Sequence, residues 1–69
     1  MSTLDTLASD LADQTMEIMD KTGEDRLFME VAALVGASSQ TLEEAYLTEV
    51  RVRMAARKAA EFLAKKAAG

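Results

Sequence analysis

Proline is absent from this sequence, and glycine occurs only at positions 23, 36 and 69. Because proline and glycine are the strongest interruptions of a helix, a helical pattern has few points at which it can end. The two internal glycines divide the chain into three segments, each with apolar residues at helical spacing. We therefore predict an all-α fold in a single domain. The predicted helices span about residues 3–21, 24–35 and 41–67.

Capping residues indicate where these helices begin and end. Ser2 is predicted to cap the first helix and Thr22 the second, since a side-chain oxygen at this position accepts a free backbone N–H. Gly36 is expected to close the second helix in the left-handed conformation. Thr41 and Glu44 have the spacing of a capping box at the start of the third helix.

The apolar pattern predicts which helix faces are buried. In the first helix, Leu4, Leu7, Leu11 and Ile18 recur at helical spacing, with Ala8, Thr15 and Met19 beside them, and are expected to form its core face. Met16 lies away from this stripe and is expected to be either exposed or part of a second contact. In the second helix every residue between Leu27 and Val35 is apolar except one glutamate. That composition predicts a central helix covered on nearly all sides.

The third helix is the longest, and its apolar stripe changes face near residue 52 when residues are placed at steps of about 100°. The first half is expected to pack within the chain. The second half, small and alanine-rich, is expected to let a second copy approach closely. The predicted oligomer interface consists of Val52, Ala56, Ala59, Phe62 and Leu63. The alternative interpretation is that the alanine-rich second half is only a good helix former with a solvated surface.

The need for such a contact follows from size. A chain of 69 residues without cysteine has a small core and no disulfides, and chains this small commonly gain stability by self-association. We therefore expect a helical-bundle homo-oligomer, most simply a symmetric dimer.

Charge is strongly segregated along the chain, although the net charge is only −4. Residues 1–49 hold 11 acidic and 2 basic side chains, a balance of −9, whereas residues 50–69 hold 1 acidic and 6 basic, a balance of +5. Two stripes of opposite sign are expected to set orientation between copies, as flanking charges do in coiled coils, or else to be solvated faces. They are Asp10, Asp13, Glu17 and Asp20 on the first helix, and Arg51, Lys58 and Lys65 on the third.

Histidine and cysteine are both absent, which removes the commonest general base, the thiol nucleophile and the usual zinc ligands. No glycine-rich phosphate loop occurs, since the glycines stand alone. We expect no catalytic residues, no metal and no cofactor, and no enzymatic activity. The longest apolar run, Val31 to Val35, is far shorter than a membrane span and no signal-peptide pattern is present, which favours a cytoplasmic protein without membrane contact.

Residues 31–50 resemble the helix-turn-helix family of DNA-binding proteins. Ala32 lies four residues before Gly36, apolar side chains flank both positions, and Leu42 and Ala45 follow the glycine by six and nine residues. The resemblance implies that the second of these helices enters the major groove. The implied nucleic-acid contacts are Ser38, Ser39 and Gln40 at the groove, with Arg51, Arg53, Arg57 and Lys58 near the phosphates.

Two functional hypotheses follow. The first is a non-enzymatic interaction or regulatory protein that recognises a protein partner through a helix face and forms homodimers. The alternative is a small helix-turn-helix transcriptional regulator. Glu43 and Glu44 would repel phosphate at the start of the third helix, so the first hypothesis ranks above the second.

Overall fold

Three α-helices account for nearly all of the chain in the computed structural model, which describes residues 2–69. They are α1 (Thr3–Thr22), α2 (Leu27–Gly36) and α3 (Gln40–Ala68), and these residues include no strand. The prediction of an all-α, three-helix fold is therefore confirmed. Each helix packs on the other two, and the Cα atoms extend over 47 × 28 × 14 Å.

The helix ends are fixed by different residues from those predicted, except at Ser2. The Ser2 hydroxyl accepts a hydrogen bond from the Asp5 N–H (3.2 Å) as expected. Thr22 is the last residue of α1 and not the cap of α2; its hydroxyl donates to the Ile18 carbonyl and accepts from the Glu24 N–H, which lies before α2 begins. Gly23 then reverses the chain with φ 75°. The second helix begins three residues later than predicted and without a side-chain cap.

Gly36 was expected to adopt the left-handed conformation, and this expectation is wrong. Gly36 is the last residue of α2, and Gly23 is the glycine with positive φ within residues 2–69. The small size of Gly36 matters instead, since a Cβ there would lie 2.7 Å from the carboxyl group of Glu43. Thr41 does not cap α3 either. Ser39 does so, with its Oγ accepting from the Leu42 N–H (3.1 Å).

The core is built from small residues around one aromatic ring. Tyr46 and Val50 of α3 are fully buried. Alanines on the facing helices leave room for the Tyr46 ring, and Met16 fills the adjoining space. The buried apolar residues are Ala8, Ala12, Met16, Ala32, Tyr46 and Val50.

This core overturns the predicted face of α1. Leu7 and Ile18 remain about half exposed, whereas Met16, expected outside the core, is only 5% exposed. The buried side of α1 also carries Ala8 and Ala12, because the bulky Tyr46 ring is accommodated by small residues. Leu11 and Met19 still pack against the core as predicted, whereas Leu7 and Ile18 are turned toward solvent.

The prediction of a central α2 is also wrong. Ala32 is its one buried residue, and Leu34 is 76% exposed. Three helices in mutual contact cover only one side of each, so the continuous apolar run of α2 exceeds the surface available to bury it.

The Thr15 hydroxyl forms the hydrogen bond that the buried hydroxyl of Tyr46 requires. Thr15 Oγ1 lies 2.8 Å from the Tyr46 hydroxyl and 2.8 Å from the Leu11 carbonyl. Thr15 has one hydroxyl hydrogen, and it is donated to Leu11, so Tyr46 donates to Thr15. No buried side-chain polar atom in residues 2–69 lacks a hydrogen-bond partner.

We predict that Thr15→Val lowers the free energy of unfolding by about 1–3 kcal/mol, because it leaves the buried Tyr46 hydroxyl unpaired. Thr48→Val is the matched control, since the Thr48 hydroxyl makes the same type of bond to the Glu44 carbonyl on an exposed surface. Its expected effect is within about 0.5 kcal/mol. Urea unfolding followed by circular dichroism measures both. Equal losses in the two variants would contradict this role for Thr15.

We also predict that stability declines at alkaline pH through Tyr46. Burial raises the pKa of Tyr46 above its ordinary value of 10.0, because the charged phenolate is disfavoured away from water. The unfolded chain thus loses the phenol proton first, and the stabilisation is lost as pH rises from 10.0 upward. Tyr46 is the one tyrosine and tryptophan is absent, so tyrosinate absorbance reports this group alone. Coincident titrations of the native and urea-unfolded chain would contradict the prediction.

Candidate interaction surfaces

The second half of α3 lies outside the bundle. Every residue from 55 to 68, which we call the α3 arm, is exposed. The arm is helical to Ala68, and at about 1.5 Å per residue it extends roughly 20 Å. The predicted change of face, near residue 52, lies just before the burial of α3 ends, and within the arm Arg57 still forms an ion pair with Asp20 of α1.

The five residues predicted to form an oligomer interface are all exposed. Large side chains among them leave much apolar surface in water, with Val52, Phe62 and Leu63 exposed by 60%, 59% and 64%. We call this set the α3 outer face: Val52, Ala56, Ala59, Phe62 and Leu63. Its role in association stays a prediction.

A cation lies beside the aromatic residue of this face. The Lys66 Nζ is 5.7 Å from the centre of the Phe62 ring, within the range of a cation–π interaction. The arm therefore presents apolar and positively charged groups side by side.

Arg53 joins α3 to α1 through several hydrogen bonds. Its Nε donates to Asp13 (2.8 Å), one terminal nitrogen donates to the Glu49 carboxylate (2.7 Å), and the other donates to the Ser9 hydroxyl (2.9 Å). The hydrogen bonds with Glu49 and Asp13 raise the pKa of Arg53. The side chain is only 24% exposed, so this contact is the best shielded of the ion pairs.

Arg57 makes a second link to α1, nearer to solvent. Its two terminal nitrogens donate to the two carboxylate oxygens of Asp20 at 2.6 and 2.8 Å. This bidentate hydrogen bond lowers the pKa of Asp20. The pairs of Asp13 with Arg53 and of Asp20 with Arg57 therefore link α3 to α1 at two points.

The acidic residues of the α1 stripe differ in their ion-pair partners. Asp13 and Asp20 bind arginines of the same chain, and Glu17 pairs with Lys21 one turn away (3.2 Å). The basic stripe predicted to pair with them, Arg51, Lys58 and Lys65, makes no ion pair within residues 2–69. The arginines that do so, Arg53 and Arg57, were assigned to phosphate contacts by the helix-turn-helix resemblance.

The groove residues implied by that resemblance lie at the turn between α2 and α3. Ser38 and Gln40 are exposed, whereas Ser39 is half-buried and its hydroxyl caps α3. The Glu43 carboxyl lies against Gly36 at the same turn. Of the basic residues in this set, Arg51 and Lys58 are exposed and make no ion pair within residues 2–69. DNA binding stays a prediction.

Leu7 and Ile18 form an exposed surface that the sequence analysis missed. They were assigned to the core, yet they are exposed by 48% and 47%. The alanines at 8 and 12 were the available signal, since small residues on a neighbouring face mark the side where another helix approaches closely. We call the exposed set the α1 outer face: Leu7, Asp10, Gln14, Glu17 and Ile18.

Other types of site have no counterpart in the described residues. No group of three acidic side chains in residues 2–69 converges as a metal ion would require. None of the helices there combines the length and the apolarity needed to cross a membrane. No protein-family model matches the chain, and no curated protein or solved structure shows significant similarity to it.

We predict that the three neighbouring arginines contribute unequally to stability. Arg53→Ala should lower the free energy of unfolding by about 1–2 kcal/mol, because it removes shielded hydrogen bonds to Asp13 and Ser9. Arg57→Ala should have a smaller effect, since its ion pair is exposed. Arg51→Ala is the control without an ion pair. Urea unfolding, at a concentration where the chain is monomeric, measures the loss of unfolding free energy in each variant. An equal loss in all three would contradict the prediction.

Proposed function

We propose that this protein is a non-enzymatic interaction protein that acts through helix faces and forms a homodimer by means of the α3 outer face. The observation that carries the proposal is the continuation of α3 beyond its contacts with α1 and α2, with Val52, Phe62 and Leu63 left in water. An isolated helical segment of this length is marginal in water without packing. A second copy supplies that packing, and we place the protein in the cytoplasm.

The alanines of the α3 outer face support helix-to-helix contact in particular. Small residues such as Ala56 and Ala59 let two helix backbones approach closely, while the larger Phe62 and Leu63 provide apolar area to bury. A solvated helix gains nothing from having its large apolar residues gathered on one side.

The ion pairs formed within the chain favour a protein partner over DNA. Arg53 and Arg57 are bound to carboxylates of α1, so using them on phosphate requires breaking those pairs. The acidic residues of α1 and α2 add a repulsive field for a polyanion.

We predict that sedimentation equilibrium finds a dimer and that Leu63→Gln raises its dissociation constant at least roughly tenfold. A buried leucine contributes about 1.5–3 kcal/mol, and a twofold dimer loses this contribution twice. Leu34→Gln is the matched control, because Leu34 is also exposed but lies on α2. Circular dichroism confirms that both variants stay helical.

The experiment is run at two salt concentrations, with and without random-sequence duplex DNA. A chain that stays monomeric at high concentration would contradict the proposal. DNA binding that weakens steeply with salt would support the helix-turn-helix alternative instead.

A further inference from the structure

The charge of the α3 arm argues against pairing two arms with each other. The arm carries Arg57, Lys58, Lys65 and Lys66 but a single acidic residue, Glu61. An antiparallel pair of arms would bring the first two cations against the last two, and a parallel pair would oppose identical charges. Like charges along a helix interface select against that pairing. The surface that receives the arm must therefore be acidic.

The α1 outer face has this character. Leu7 and Ile18 leave an apolar strip on its surface. Asp10 lies beside the strip and makes no ion pair within residues 2–69, and Glu17 is held only by the exposed Lys21. Such an exposed pair contributes about 0–1 kcal/mol and can be exchanged for another cation.

The spacing of the apolar residues on the two faces is the same. Leu7 and Ile18 are 11 residues apart on α1, and Val52 and Leu63 are 11 residues apart on α3. Eleven residues advance a helix by about 16.5 Å and return within about 20° of the same side. Each face therefore presents two large apolar side chains at a matching distance.

The charges of the two helices are opposite in sign. Asp10 and Glu17 are seven residues apart on α1, and Lys58 and Lys65 are seven residues apart on α3. Lys65 comes two residues after Leu63 and therefore lies on the other side of α3, so these lysines act through the positive field of the arm and not through direct pairing across the apolar contact.

We infer that the α3 outer face of each copy packs on the α1 outer face of the other copy, which brings the basic arm next to the acidic residues Asp10 and Glu17. Each copy provides one α3 outer face and receives one on its α1 outer face. The contact therefore closes into a dimer with twofold symmetry in which both faces of both copies are covered. This inference rests on the proposed function and adds the receiving surface.

Cysteine cross-linking tests the inference directly, because the chain has no cysteine of its own. Leu63→Cys is mixed in a glutathione redox buffer with Leu7→Cys, with Ile18→Cys, or with Leu34→Cys as the control. We expect a disulfide between Leu63→Cys and one of the two α1 variants, and none with the control. The α1 position that links gives the direction in which the two helices run.

Charge reversal provides a second measurement. The double variant Lys58→Glu/Lys65→Glu and the double variant Asp10→Lys/Glu17→Lys should each dimerise roughly tenfold more weakly, and mixing them should restore association between the two.

The outcomes separate this inference from the proposed function. If Leu63→Cys links only to itself and the mixed charge variants do not associate, the arms pair with each other: the reciprocal arrangement is then wrong while the homodimer stands. If sedimentation finds only monomer, both fail.

Discussion

The burial of Tyr46 against small residues of α1 and α2 determines how the three helices meet. Tyr46 is one of two large side chains that are fully buried, and the other, Val50, lies one turn along the same helix. Ala12 and Ala32 leave room for the ring, and Thr15 accepts the hydrogen bond that its hydroxyl must make. A larger residue at either alanine would separate the helices.

The exposed surfaces follow from this choice of core. Since the side of α1 with the small residues faces Tyr46, Leu7 and Ile18 are turned outward, while Leu11 stays packed against the core. Since the core lies at the first half of α3, the arm extends past it. The two arginine pairs hold α1 along α3 and use the acidic residues nearest the bundle, which leaves Asp10 and the lysines of the arm free for other contacts.

The sequence was sufficient to predict the number and order of helices, because Gly23 and Gly36 are the only internal breakers. It also predicted that α3 extends beyond α1 and α2, since that depends only on the number of residues in each helix. The buried face of α1 could not be predicted from periodicity, which ranks Leu7 above Ala8. That ranking fails wherever a bulky residue on another helix selects for small neighbours; Ala8 and Ala12 indicate such a site, and the position of Tyr46 shows which residue they accommodate.

The ion pairs within the chain could not be predicted from the charge pattern. Arg53 and Arg57 bind Asp13 and Asp20 of the same chain, whereas the pairing expected between copies, through Arg51, Lys58 and Lys65, stays a prediction. The rotation of α3 about its axis relative to α1 determines which cations lie close enough to bind the carboxylates of α1. A small error in that rotation changes the predicted partners. Gly36 has no left-handed backbone role, because the α2–α3 turn does not require a positive φ there.

Amide hydrogen exchange along α3, measured at several protein concentrations, tests most directly whether the arm is packed by a second copy. The account predicts that amides near Tyr46 and Val50 are protected at every concentration, whereas those of residues 57–67 become protected only as the concentration rises into the range of dimer formation. Arm amides whose exchange is independent of concentration would contradict it.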